Sequence, residues 1–179
     1  MFILTSSRPS GFDGPSARAV LKPRSGSAGR IRCACRRERS RKSFGGERFS
    51  FHCLCGLPEL GVDADVASTI DLIDVLWFEE ATGRVACGFE VEKSTSIYSG
   101  LLRLADLALA LPQHSMKMFL VPDDREKEVL AQLKRPSVQA ANLGTVSYIL
   151  FSELAANCDA MCRFGSDRAI LDKIAKTGG

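Results

Sequence analysis

The 179-residue chain has no apolar run near the ~18 residues that a membrane-spanning helix needs, which excludes such a helix. It also lacks the apolar core of a secretory leader, because Met1-Phe2-Ile3-Leu4 gives way at once to Ser, Arg and Pro. Histidine is scarce, with two residues, and so are Trp and Tyr, with one and two. Sugar-cleaving sites also use paired carboxylates, but they lean on several exposed aromatics, and Tyr98 is almost alone in that role. His114 follows Pro112-Gln113 and reads as a solvated loop residue. No internal repeat is visible. The cysteine count is odd, at seven, and Cys87 sits in a strand-like run, so a reduced, cytoplasmic protein is expected.

Charge is unevenly spread. Residues 1–48 carry 12 Lys/Arg against 3 Asp/Glu, a net of +9, and residues 49–179 carry 12 against 18, a net of −6. The net charge of +3 hides this division. Arg, Ser, Gly and Pro fill 27 of the first 48 positions, and no period of 2 or 3.6 persists there. Such a segment buries too little apolar surface to offset its ordering entropy. Residues 1–45 are therefore read as a basic, low-order segment, and 46–179 as one α/β domain. Three readings of the basic block stay open: an arm on nucleic-acid phosphates, an organellar targeting peptide, or a stretch with no evolved fold, including a misassigned or shifted start.

Order is expected from near Gly46 and firms up at Asp63, where Asp63 or Asp65 is placed to cap a short helix through Thr69. Ile70 to Phe78 is nearly continuous in apolarity and predicts a strand buried on both faces. Glu79 to Arg84 reads as a turn, and Val85 to Lys93 as the returning strand. A helix is expected from Tyr98 to Ala110, wrapped by Leu101, Leu102, Leu104, Leu107 and Leu109 and therefore largely buried. Lys117–Val121 and Val146–Phe151 read as strands. Between them Pro122-Asp123-Asp124 would cap a helix through Leu133, with Lys134 and Arg135 at its negative end. Ser152 would cap a further helix, and a last one is expected over Asp167–Ala175. The predicted fold class is α/β, a mixed central sheet flanked by helices.

Three carboxylates stand where carboxylates are costly. Asp74 interrupts the first strand, and Glu90 and Glu92 interrupt the second, two apart and so on one face. A bound divalent cation removes the desolvation cost, and oxygen-only donors suit Mg²⁺ or Mn²⁺. The geometry has a strict condition. If opposed positions sum to 164, Asp74 faces Glu90, whereas a sum of 163 sends Glu90 to the other face. An odd-length turn or a β-bulge is therefore required. The structural alternative is that the acids pair with Lys93, Arg84 or Arg103.

The runs Ile73-Asp74-Val75-Leu76-Trp77, Phe89-Glu90-Val91-Glu92 and Ser94-Thr95-Ser96-Ile97-Tyr98-Ser99-Gly100-Leu101-Leu102-Arg103 resemble the PD-(D/E)xK nuclease superfamily, and most of all uncharacterised bacterial proteins of restriction-endonuclease-like fold. The likeness extends through Val121-Pro122-Asp123, Arg135-Pro136 and Tyr148 to Phe151. It implies a helix before a three-stranded meander, then a helix and a strand. In that core Asp74 and Glu90 match the metal-binding acids, and Glu92 stands where the motif usually has Lys. Arg103 would supply the missing positive charge, unless it is an i,i+3 partner of Asp106. The opening helix is not recognisable, and Glu47 to Phe51 is the candidate for the first strand.

The resemblance implies a metal-dependent phosphodiesterase on DNA. Its catalytic group would be Asp74, Glu90, Glu92 and Arg103, its metal ligands Asp74, Glu90 and Glu92, and its cofactor Mg²⁺ or Mn²⁺. No membrane partner is expected, and a homodimer is one option for its assembly. A rival from another class is a catalytically silent, nuclease-like module that binds DNA or a protein partner. The pairs Cys33/Cys35 and Cys53/Cys55, with His52 nearby, form a weaker zinc candidate, because their spacing is tighter than the usual knuckle. Cys158 and Cys162 read as helical core, and so does Trp77 as core of the sheet.

Overall fold

The computed structural model describes residues 31–35, 43–44, 47–48, 54, 57–93, 96–140, 146–157 and 169–178. Its centre is a five-stranded sheet: β1 (Ile31–Cys35), β4 (Val75–Glu79), β5 (Val85–Glu92), β6 (Lys117–Pro122) and β7 (Val146–Tyr148), side by side in that order. The first three run antiparallel as a meander, and β6 and β7 are parallel to β5. A separate two-stranded ladder joins β2 (Ser43–Phe44) to β3 (Glu47–Arg48). The expected α/β class with a mixed sheet is therefore observed.

Six helices are described: α1 (Ala64–Ile70), α2 (Ile97–Ala110), α3 (Glu126–Leu133), α4 (Pro136–Ala140), α5 (Phe151–Ala156) and α6 (Ala169–Ile174). Sheet alternation sorts them onto two faces. Val75, Trp77, Phe89, Phe119 and Val121 point to the side of α5 and α6, where they bury Leu154 and Leu171. Trp77 is core as expected, with its ring 5.0 Å from that of Phe89. Leu76 and Phe78 pack against Leu107 and Leu111 on the opposite side. Met118, Leu120, Val146 and Tyr148 share that side with Leu101, Leu104, Val129 and Val138.

Several elements differ from the sequence reading, each for a physical reason. Ile31–Cys35 lie in the block for which composition predicts no regular element, yet they pair with β4 from Ile31↔Glu79 to Cys35↔Val75. Strand pairing at an edge uses backbone groups, and a buried strand needs those partners whatever the side-chain pattern beside it. Glu47–Arg48 belong to the small ladder and not to the main sheet. Among the described residues no helix precedes β1, and Cys53, Cys55, His52, Cys158 and Cys162 lie outside the described residues.

The first long strand starts at Val75, five residues later than its apolar run suggests. Ile70 ends α1, and Ile73 sits in a turn where its N–H donates to the Ile70 carbonyl at 3.0 Å. Both side chains are buried, so the run is apolar without being one strand. Helix α2 is also less buried than its leucines suggest. Leu101, Leu104 and Leu107 are buried, but Leu102 and Leu109 are exposed, because the sheet covers only one side of the helix.

Caps are exchanged across space. Pro122-Asp123-Asp124 does not cap α3, which begins after Arg125. Asp124 instead accepts the N–H (3.2 Å) and Oγ–H (2.7 Å) of Ser152, so it closes the first turn of α5 in place of Ser152 itself. His114 is not simply solvated. Its Nδ1 accepts the Val85 N–H at 3.1 Å, and burial holds the ring below the usual histidine range. Lys176 closes the far edge of the sheet through a backbone bridge to Tyr148, with its ammonium between Glu126 (2.9 Å) and Glu153 (2.8 Å).

Candidate acid cluster on the central hairpin

The hairpin register decides whether the three acids can meet. Next to the turn Phe78 opposes Val85, a sum of 163, and the Glu79 N–H donates to the Arg84 carbonyl. Left uncorrected, that register would part Asp74 from Glu90. Between Phe78 and Trp77 it shifts, so that Trp77 faces Cys87, Leu76 faces Gly88 and Val75 faces Phe89, a sum of 164. Ala86 is the extra residue of a β-bulge, and both Ala86 and Cys87 belong to the core on the α5 side. The bulge turns the remainder of β5 by one position. It puts Gly88, Glu90 and Glu92 on the α2 side, level with Leu76 and the preceding Asp74.

Helix α2 lies along that face. A Cβ on Gly88 would stand 2.7 Å from Leu107 Cδ2, and one on Gly100 would stand 2.7 Å from Glu92 Oε1. Leu107, Arg103 and Gly100 therefore form one stripe of the helix, matched in turn to Gly88, Glu90 and Glu92 on the strand. Gly100 brings the helix backbone down onto the Glu92 side chain. Gly100→Ala should cost about 1–3 kcal/mol, since its methyl meets Glu92 Oε1 at 2.7 Å and Leu120 Cδ1 at 3.1 Å. Urea denaturation checks this, and a change under about 0.5 kcal/mol would show that the contact is relieved for free.

All three acids are buried, with exposures of 4% for Asp74, 0% for Glu90 and 1% for Glu92. Asp74 Oδ2 accepts the Val91 N–H at 3.0 Å, which ties the entry of β4 to the end of β5. Of the three bases open to them, Arg103 is the one that reaches the glutamates. Its Nε and Nη2 donate to Glu90 Oε1 (2.9 Å) and Oε2 (2.7 Å), and Nη2 also donates to Glu92 Oε1 at 2.8 Å. Asp106, the alternative i,i+3 partner, is exposed, and so is Lys93.

Burial dominates the electrostatics. It pushes the Glu90 carboxyl up to about 7, opposed by the Arg103 hydrogen bonds and assisted by the charge of Asp74 and then of Glu92. Glu92 is also raised, first by burial, against the pull of the Arg103 charge. Arg103 is raised in turn, chiefly by its hydrogen bonds to Glu90, and stays charged.

The cluster contains one residue that the sequence reading passed over. Arg125, three residues past the end of β6, donates from Nη2 to the Glu92 carbonyl at 2.8 Å, and its charge lowers the Glu92 carboxyl. The available signal was a basic residue in the loop after a parallel strand, where such sheets open their ligand crevice.

The donor set fits a divalent cation by chemistry, being three desolvated carboxylates with one guanidinium between them. Among the described residues, however, no three His, Cys, Asp or Glu side chains are gathered to hold a metal as they stand. Arg103 lies among the acids, with its donors on both oxygens of Glu90 and on one of Glu92. Among the described residues no helix is long and apolar enough to cross a membrane.

Against known proteins, neither the curated sequences nor the solved structures contain a match to this chain. A family model does match, over residues 38–177, more than three quarters of the chain and including every member of the acid cluster. The chain therefore belongs to the family described as the type II restriction enzyme NmeDI C-terminal domain.

Proposed function

We propose that this domain is a Mg²⁺- or Mn²⁺-dependent deoxyribonuclease that hydrolyses a DNA phosphodiester at the Asp74–Glu90–Glu92–Arg103 cluster. The observation that carries the reading is the placement of three buried carboxylates on one sheet face, made possible by the Ala86 bulge, in a chain of a restriction-enzyme family. The meander β1–β4–β5 followed by α2 and β6 also agrees with the core that the PD-(D/E)xK resemblance implies.

Asp74 and Glu90 would hold the cation, which when bound supplies charge for the phosphoryl oxygens and lowers the pKa of a coordinated water. Glu92 would orient a water for in-line attack on phosphorus and take up its proton, so that a new P–O bond forms as the bond to the leaving sugar oxygen breaks. Arg103 would offer its guanidinium to the phosphate charge, a role for which its permanent charge and planar fork suit it. Arg125 holds the carbonyl of Glu92 and so fixes the end of β5.

The rival reading, a silent module that binds DNA or a protein, draws its support from the same guanidinium, which already neutralises part of the cluster. Plasmid and short branched DNA incubated with the protein in Mg²⁺, in Mn²⁺ and in EDTA separate the two. Cutting in either metal that stops in EDTA is expected. DNA binding of equal strength in metal and EDTA, with no cutting, would establish the silent module instead.

A further inference from the structure

We propose that Arg103 is the resident counter-cation of the acid cluster, that it and a divalent cation compete at Glu90, and that cation entry turns the guanidinium out toward the substrate phosphate. The inference rests on the metal-dependent reading above and adds to it the order in which the site is assembled.

The fork takes both oxygens of Glu90 and one of Glu92 at 2.7–2.9 Å. In the reading above a divalent cation takes an oxygen of Glu90, which the fork already holds, and two positive charges at contact distance in a desolvated site repel one another strongly. One of the two must yield. The acids are fixed, because Glu90 and Glu92 are 0% and 1% exposed on a central strand, and Gly100 presses the helix against Glu92. Arg103 is the mobile partner: its side chain is 29% exposed, and it projects from the helix on a long flexible stem.

Without metal the guanidinium offsets the mutual repulsion of the acids, so the domain folds before it is loaded. With metal the same guanidinium is released where a positive group is useful, beside the phosphate. The cation affinity of the site is then set by competition with an internal ligand. An arginine on the following helix, beside the Glu92 that stands at the motif's usual lysine position, becomes part of the loading step as well as of the chemistry.

The test measures Mn²⁺ binding to the full chain by electron paramagnetic resonance titration, with thermal melts as a check on folding. Arg103→Gln keeps a donor and removes the charge, and it is expected to bind Mn²⁺ about tenfold more tightly than the wild type. Adding Asp74→Asn to that variant should abolish the gain. In the wild type, the Arg103 Nε–H signal in a ¹⁵N spectrum should shift saturably with Mg²⁺, a readout that needs no variant to fold. Equal Mn²⁺ affinity in wild type and Arg103→Gln would overturn the competition while leaving the metal-dependent reading standing. So would an Nε–H signal indifferent to saturating Mg²⁺. Failure of both proteins to bind Mn²⁺ would overturn the two together.

Discussion

Asp74→Asn is expected to slow metal-dependent DNA cutting by about a thousandfold, equivalent to about 4 kcal/mol of lost transition-state stabilisation, with little change in the fold. The fold survives because an asparagine carbonyl accepts the Val91 N–H, held at 3.0 Å, as the Asp74 carboxylate does. The charge does not survive. Asp74 lies close enough to raise the carboxyls of both Glu90 and Glu92, so the three act as one electrostatic unit, and Asn removes one of the two acids proposed to hold the cation. Plasmid cleavage rates, paired with urea melts of the same protein, measure the two properties separately. A variant that cuts within tenfold of the wild-type rate would remove Asp74 from the site.

The second large effect concerns stability. In EDTA, Arg103→Ala should destabilise the protein by roughly 3 kcal/mol at pH 8 and by about 1 kcal/mol at pH 5, read from urea midpoints at the two values. At pH 8 Glu90 is above its titration at about 7, and loss of the guanidinium leaves its buried charge without a counter-ion. At pH 5 the native state holds Glu90 protonated, since its carboxyl titrates at about 7, and only hydrogen bonds are lost. The sign follows from linkage. Glu90 is raised from 4.5, so between pH 4.5 and about 7 the native state binds more protons than the unfolded chain, and stability falls as pH rises through that window. Removing Arg103 takes away the main influence opposing that rise, so the fall steepens and extends to higher pH. Equal destabilisation at both pH values would mean that Arg103 acts through packing alone.

These expectations depend on features of unequal legibility. The alternation of Phe89-Glu90-Val91-Glu92 against an apolar neighbour marked the acids as anomalous, and that anomaly led to the register condition that the hairpin meets. Which way the condition was met was hidden. Ala86 looks like any other small strand residue, and nothing in its type marks it as the extra residue of a bulge. The strand β1 was hidden for a different reason. Edge pairing is made by backbone groups, and an Arg- and Cys-containing run carries no apolar alternation to announce it. The exchange of caps between Asp124 and Ser152 joins residues 28 apart in the chain, a distance over which local propensity is silent.

Arg103 is the sharpest case. Its side chain had two partners at helical or sheet distance, Asp106 within the helix and the glutamates across it, and both obey good local rules. Burial chose between them. A solvated aspartate gains little from an ion pair, whereas two desolvated glutamates need one.

The sequence by itself determined the α/β class, the hairpin, the helix that follows it and the identity of the three unusual acids, because each depends on side-chain period or on a charge placed among apolar neighbours. Only the tertiary structure decided that the acids share one face, that Arg103 holds Glu90 and Glu92, that Arg125 and Gly100 also fix Glu92, and that the Val91 N–H ties down Asp74. Those outcomes rest on a one-residue register shift and on the approach of a helix to a sheet, and both are set by how the whole core packs.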